Sequence, residues 1–193
     1  MNIRQFFFKN RSYTPIPLAL LIIYYSKLDW QLMCFGGILI FLGETLRLIS
    51  IRYAGGTTRT RLVGASSLCS DGPYSYVRNP LYLANIIIYI GIVIFSGGGA
   101  MFFELLLLTI TFFLLQYSLI ISLEEEVLKN KFGKEYDLYK ESVPRLIPTF
   151  LPWSDRIIIK PRSWKKTFMI ERRTLQSMLF SLLIILLRSL LII

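Results

Sequence analysis

The stretch GPYSYVRNPLYLAN, Gly72 to Asn85, sets a turn and a polar, basic cluster directly against the start of an apolar run that continues to Ser96. Gly72-Pro73 marks the turn. Pro80 suits the first position of a helix, because its φ is already helical and its missing N–H would have had no partner there. The stretch therefore reads as the doorway of a membrane helix, and the rest of the chain repeats that pattern.

Apolar segments fall at 15–28, 30–51, 80–96, 100–123 and 175–193. The second and fourth are long enough to cross a bilayer unaided. The first and third borrow neighbours, with Tyr13, Tyr24, Tyr25 and Trp30 as interfacial aromatics. Only Lys27-Leu28-Asp29 separates the first two, which predicts an antiparallel hairpin. The fold class expected is an all-α integral membrane protein of about five transmembrane helices forming one domain over 1–193, with water-facing segments at 52–79 and 124–174.

Charge orients this layout. With the N-terminus cytosolic, nineteen of the 22 Lys and Arg residues fall in cytosolic segments, and the outer loops hold Lys27 alone. A chain of 193 residues that is 54% apolar with a net charge of +10 is then an integral membrane protein with basic water-facing parts, placed in a bacterial or archaeal inner membrane. Topology accounts for the basic charge, so no nucleic acid is expected. The N-terminal MNIRQFFFKNRSYTPIP is broken by charges and lacks a small-residue cleavage site, so it reads as mature protein.

Histidine is absent, which excludes a histidine base, a histidine metal ligand and every Ser-His or Cys-His nucleophile. Cys34 and Cys69 are too few and too far apart for a disulfide framework or a metal site, and no metal is expected. No GxGxxG stands between a strand and a helix.

Several polar residues interrupt the apolar runs. Glu104, Thr111, Ser118 and Glu125 recur every seven residues, a stripe expected to face protein or water, either for function or as packing glue. Glu44 and Arg47 are spaced for an intrahelical ion pair, and Arg47 is also a candidate for a cofactor carboxylate. Tyr82, Asn85 and Tyr89 share one sector of their helix. Beyond Leu123, EEEVLKNKFG prolongs the preceding helix to a break at Gly133, KEYDLYKESV makes a short helix, and VPRLIPTFLPW is extended. SWKKTFMIERRT is basic and amphipathic, suited to an anionic membrane surface or to a positive stop before the last span.

At the doorway, the free amides near Asn79 to Tyr82 make a positive helix end, and Arg78 adds a bidentate anion binder. Glu124 and Glu125 stand opposite. Such a site suits a zwitterionic ligand with hydroxyls, such as an amino-acid-bearing nucleoside. The plainer reading has Arg78 snorkelling and Glu124 to Glu126 as a solvated helix end.

GPYSYVRNPLYLAN resembles the GPYxYxRHPxYxG element, and EEEVLKNKFGKEYDLYKESVPRLIP the EExxLxxxFGxEYxxYxxxVPRxIP element, of the membrane-embedded isoprenylcysteine carboxyl methyltransferase and phospholipid methyltransferase superfamily. The resemblance implies S-adenosylmethionine bound at the cytosolic face and a membrane lipid or lipidated acceptor reached from within the bilayer. It implies that Arg78, Asn79 and Tyr82 line the amino-acid end of that cofactor, that Glu124 and Glu125 hold its ribose or amino group, and that Tyr136, Tyr139 and Arg145 form a lid. Arg78 and Glu125 are the residues on which catalysis is expected to rest. Asn79 stands where the family often has His, and Asn cannot take a proton at that place. Ala84 stands where Gly is usual.

Two other functions fit parts of the sequence. One is an NADPH-dependent sterol-type reductase, with Arg59, Arg61 and Arg145 for the extra phosphate. The other is a non-catalytic lipid-binding protein.

Overall fold

Among the described residues seven α-helices follow one another: α1 (Ile3–Asn10), α2 (Ile16–Tyr24), α3 (Trp30–Ala54), α4 (Pro80–Ser96), α5 (Phe102–Phe132), α6 (Lys134–Ser142) and α7 (Trp164–Leu190). The structure, a computed structural model, describes residues 2–54, 64 and 67–191, and among these there is no strand. Among the described residues three helical segments are long and apolar enough to cross a membrane: α3, α7, and Gly99–Phe132, which is α5 with the short turn before it. The apolar part of α5 ends at Leu123, and from Glu124 onward the helix is charged.

α3 and α4 make the closest packing in the molecule. Gly36 on α3 meets Gly91 and Phe95 on α4, while Gly43 meets Ala84 and Ile88, so the two helices run antiparallel with their backbones in contact. An ideal Cβ on Gly36 would lie 2.3 Å from the Phe95 amide nitrogen, a distance no side chain tolerates. Small residues on both sides let the helices approach without an intervening layer of side chains. At the far end of α4, Gly97 takes a φ of 71°, and a Cβ there would strike the Lys27 carbonyl oxygen at 2.0 Å. The Lys27 amide in turn donates to the Ser96 carbonyl at 2.9 Å, so the turn before α3 is stitched to the turn after α4.

α4 matches the segment read from the sequence, as do the break at Gly133 and the short α6. Three expectations are corrected. First, α2 is nine residues long and rises only about 13 Å. It rests against α7, α4 and α5 instead of pairing with α3, because a cavity separates it from α3. Second, Glu104, Thr111 and Ser118 lie on the exposed face of α5. The fourth member of that spacing, Glu125, is buried, and the other buried polar residues of α5 are Thr109 and Gln116, on the side where Phe113 and Tyr117 meet Tyr89 and Tyr82 of α4. Glu104 instead occupies the first turn, where a carboxylate complements the helix dipole. Third, the basic segment SWKKTFMIERRT is continuous with the last apolar run, and together they form the single 27-residue α7.

Candidate functional site

The two motif stretches meet at one end of the bundle. Gly72–Ser75 forms a 3-10 turn, and Asn79 occupies the N-cap position of α4 with its side chain turned away from the helix amides. The chain returning from α6 pairs with this approach: the Arg78 amide donates to the Pro144 carbonyl at 2.8 Å, Thr149 to Tyr76 at 3.0 Å and Trp153 to Ser75 at 2.9 Å. The Asn79 amide side chain donates to the Arg145 carbonyl at 3.1 Å. A backbone with no ladder of its own is thereby satisfied, residue by residue, by the strand-like run that follows α6.

Arg78 is the hub. Its Nη2 donates to Glu125 Oε1 at 2.8 Å, and its Nη1 donates to the Lys140 carbonyl at 2.7 Å and to that of Val143. Arg145 reaches the other oxygen of the same carboxylate. Burial alone would raise the Glu125 carboxyl, but the hydrogen bonds and charges of Arg145 and Arg78 outweigh it and hold it below the usual carboxylate range. Both partners of the Arg78–Glu125 pair are about nine-tenths buried. The planar guanidinium is used at several donors at once, which a lysine could not reproduce.

Beside this clamp lies a cavity of about 720 Å³. Tyr82, Asn85 and Tyr89 of α4 supply one wall, with Tyr117 and Glu124 of α5 next to them. The Tyr82 hydroxyl donates to Glu124 Oε1 at 2.9 Å, and its ring stacks at a tilt on Tyr117, 4.6 Å between centroids. Burial pushes the Glu124 carboxyl up, the Tyr82 hydrogen bond and the Arg11 charge oppose that rise, and the carboxyl settles at about 7. Arg11 and Ser12 approach from the N-terminal segment, Arg173, Thr174 and Ser177 from α7.

A buried triad closes the side toward α7. Arg47 is bonded to Glu44 at 2.7 Å within α3 and to Glu171 of α7 at 2.5 Å. A smaller, mainly apolar cavity of about 170 Å³ lies between α2, α3, α4 and α7 and shares Arg47, Asn85, Tyr89, Thr174 and Ser177 with the large one. The two spaces thus adjoin, the larger of mixed polar and apolar lining and the smaller mainly apolar.

Of the residues singled out from the sequence, Arg78, Asn79, Tyr82 and Glu124 line the large cavity. Glu125 and Arg145 stand behind it in the ion-pair cluster. Tyr136 and Tyr139 lie apart, buried with Leu68 and Val143, where the Tyr139 hydroxyl donates to the Tyr74 carbonyl at 2.7 Å and its ring meets Trp153. Their place is under α6, which they fix to the doorway. Arg59 and Arg61, read as phosphate binders for a reductase, lie outside the described residues. Among the described residues no group of His, Cys, Asp and Glu is arranged to hold a metal ion.

Sequence reasoning missed Glu171 and the α7 wall. The signal was present: Thr167, Glu171, Thr174, Met178, Ser181 and Ile185 repeat at alternating intervals of four and three, one face of a continuous helix. Splitting the segment into a basic stop and a separate span hid that period.

The family model described as phospholipid methyltransferase matches residues 32–135 of this chain, more than half of its length. The match includes the cavity-lining Asn79, Tyr82 and Glu124 and the Arg78–Glu125 pair, and it ends before Arg145 and Glu171. No curated protein and no solved structure matches the chain.

Proposed function

The chain belongs to the phospholipid methyltransferase family, and from that premise we propose that it is a multi-pass membrane enzyme transferring a methyl group from S-adenosylmethionine to a lipid acceptor at the cytosolic face. The whole chain, 1–193, acts as one domain. Its layout keeps five passes with the N-terminus cytosolic, α4 and α2 crossing with the help of their flanks. The distribution of Lys and Arg supports that orientation.

The observation that carries the reading is the tyrosine-walled cavity with Glu124 in its wall. Its 720 Å³ falls within the range of about 300 to 1,000 Å³ usual for cofactor and ligand sites. The donor set also fits: a carboxylate for ribose hydroxyls or an ammonium, an amide at Asn79, and aromatic faces suited to a sulfonium cation. Asn79, Tyr82 and Glu124 hold the cofactor in this reading, and Arg78, Glu125 and Arg145 act one step behind, keeping α6 and the chain after it closed over the cavity. Tyr136 and Tyr139 contribute by anchoring α6. When bound, S-adenosylmethionine supplies an electrophilic methyl group.

The residues of this chain then have two tasks. The first is alignment with water kept away, which the apolar neighbouring cavity and the ring wall favour. The second concerns the proton of the acceptor. A lipid amine must lose one before it attacks, and Glu124, with a carboxyl at about 7, is matched to accept it near neutral pH. A carboxylate acceptor would need no such group, so a lipid amine is the preferred acceptor.

The test is transfer of labelled methyl from S-adenosylmethionine into extractable lipid, using purified protein in vesicles containing phosphatidylethanolamine. Label entering the lipid with the wild type and lost with Glu124→Gln is the expected result. Equal incorporation by both would remove Glu124 from the reaction.

A further inference from the structure

The segment between α6 and α7 has an exposed apolar edge that nothing among the described residues covers. Ile147 is 80% exposed, Phe150 100%, Leu151 79% and Ile158 83%. Isolated exposed apolar residues are ordinary, but a run of them on one short segment marks an interaction surface.

The height of this segment in the fold is fixed by its hydrogen bonds. Thr149 and Trp153 are bonded to Tyr76 and Ser75, immediately before Pro80 opens α4. At its other end the Arg162 amide donates to the Arg52 carbonyl at 2.9 Å, in the last turn of α3. Residues 147–162 are therefore strapped from the start of one apolar helix to the end of another, at the level where both leave the bilayer. The Arg52 guanidinium also lies 4.1 Å over the ring of Trp164, the first residue of α7.

Charge identifies the partner. Between Leu146 and Ile170 the chain carries Arg156, Lys160, Arg162, Lys165 and Lys166 against Asp155 alone. Arg156 is engaged with Asp71 at 3.3 Å, while Lys160, Arg162, Lys165 and Lys166 are exposed. An apolar edge flanked by exposed cations is the composition of an interfacial anchor for an anionic lipid leaflet. We propose that residues 147–158 form a wedge dipping into the anionic leaflet at this end of the bundle, with Ile147, Phe150, Leu151 and Ile158 among the acyl chains and the basic residues at the headgroups. Because Arg145, two residues before the wedge, holds both Glu125 and Asn79, this contact seats the closed side of the cavity on the membrane. The inference rests on the membrane placement of α3 and α4 and is independent of methyl transfer.

The test is site-directed spin labelling of the full chain in lipid nanodiscs, in a background carrying Cys34→Ser and Cys69→Ser. Nitroxides are placed at Phe150→Cys, at Glu141→Cys as the water-facing reference and at Leu115→Cys as the lipid-facing one. Phe150 touches no packed neighbour, so its replacement leaves the fold intact. In phosphatidylcholine nanodiscs containing phosphatidylglycerol, the ratio of oxygen to nickel-complex accessibility at Phe150→Cys is expected to exceed that at Glu141→Cys several-fold and to approach that at Leu115→Cys. Without phosphatidylglycerol the ratio falls toward the Glu141→Cys value. A Phe150→Cys ratio equal to the Glu141→Cys ratio in both membranes would overturn the wedge, leaving the edge for a soluble partner. A ratio unaffected by phosphatidylglycerol would overturn its preference for anionic lipid.

Discussion

Arg78 and Glu125, 47 residues apart in the chain, face each other at 2.8 Å with both side chains almost wholly buried. The pair joins the approach to α4 to the end of α5, and through the Lys140 and Val143 carbonyls it also holds the end of α6. Removing one member of a buried pair leaves an uncompensated charge, at a cost of about 3 kcal/mol or more. We predict that Arg78→Ala and Glu125→Ala each abolish binding of S-adenosylhomocysteine while the protein still purifies as a folded species, and that trypsin then cleaves readily at Lys134 and Lys140. Arg78→Lys should not restore binding, because a point charge cannot serve carboxylate and carbonyls together. Near-normal affinity in both alanine variants would show that the clamp does not hold the site.

Much of this arrangement was legible in the sequence, and the reasons differ by residue. Pro80 and Gly133 announced a helix start and a helix break because their backbone chemistry is local. The pairing of Arg78 with Glu125 could be expected only in outline, since which of two adjacent glutamates faces the cavity depends on how α5 rotates against α4. Tyr82 settles it by bonding Glu124. The spacing of seven on α5 misled at Glu104, Thr111 and Ser118, which are exposed while Glu125 is buried: a period says which residues align along a helix, not where along it the aligned face is covered. Tyr136 and Tyr139 read as part of a lid on the strength of resemblance; their rings pack α6, and the Tyr139 hydroxyl donates to the Tyr74 carbonyl.

The hydrogen bond from Tyr82 lowers the Glu124 carboxyl from where burial alone would put it. In Tyr82→Phe that opposition is lost, so the carboxyl rises above about 7 and less of it is ionised at neutral pH. If Glu124 takes the acceptor's proton, the limb of the pH–rate profile that climbs with pH should move to higher pH, and the rate below pH 7 should fall several-fold. A profile that keeps its position while its height drops would limit Tyr82 to holding the cofactor.

The α3–α4 contact predicts a paired outcome for two neighbouring glycines. Gly36→Ala forces a methyl group into the backbone of α4, with the Gly91 carbonyl oxygen at 2.6 Å, whereas Gly37→Ala meets nothing within 4 Å. Overpacking of this kind costs about 1 to 3 kcal/mol. Thermal stability in detergent should fall for Gly36→Ala and stay unchanged for Gly37→Ala; equal effects would place the helix contact elsewhere.

Cys69 offers a check on the packing beside the doorway. Burial pushes its thiol up to about 12, a hydrogen bond from the Asp71 backbone opposing. At pH 8 its reactive thiolate should then be on the order of a thousandfold rarer than that of a free cysteine. Iodoacetamide should leave Cys69 unmodified in the folded protein and label it after denaturation, as read by mass spectrometry of the peptide. Ready labelling in the folded state would mean that this region is open.

The central claim is that the cavity beside Glu124 holds the methyl donor, and calorimetric titration of the purified protein tests it most directly. S-adenosylhomocysteine is titrated into the wild type, with NADPH run in parallel. Saturable binding of S-adenosylhomocysteine, absent for NADPH and lost in Glu124→Gln, is the predicted result. Binding of NADPH alone, or of neither ligand, would contradict the account.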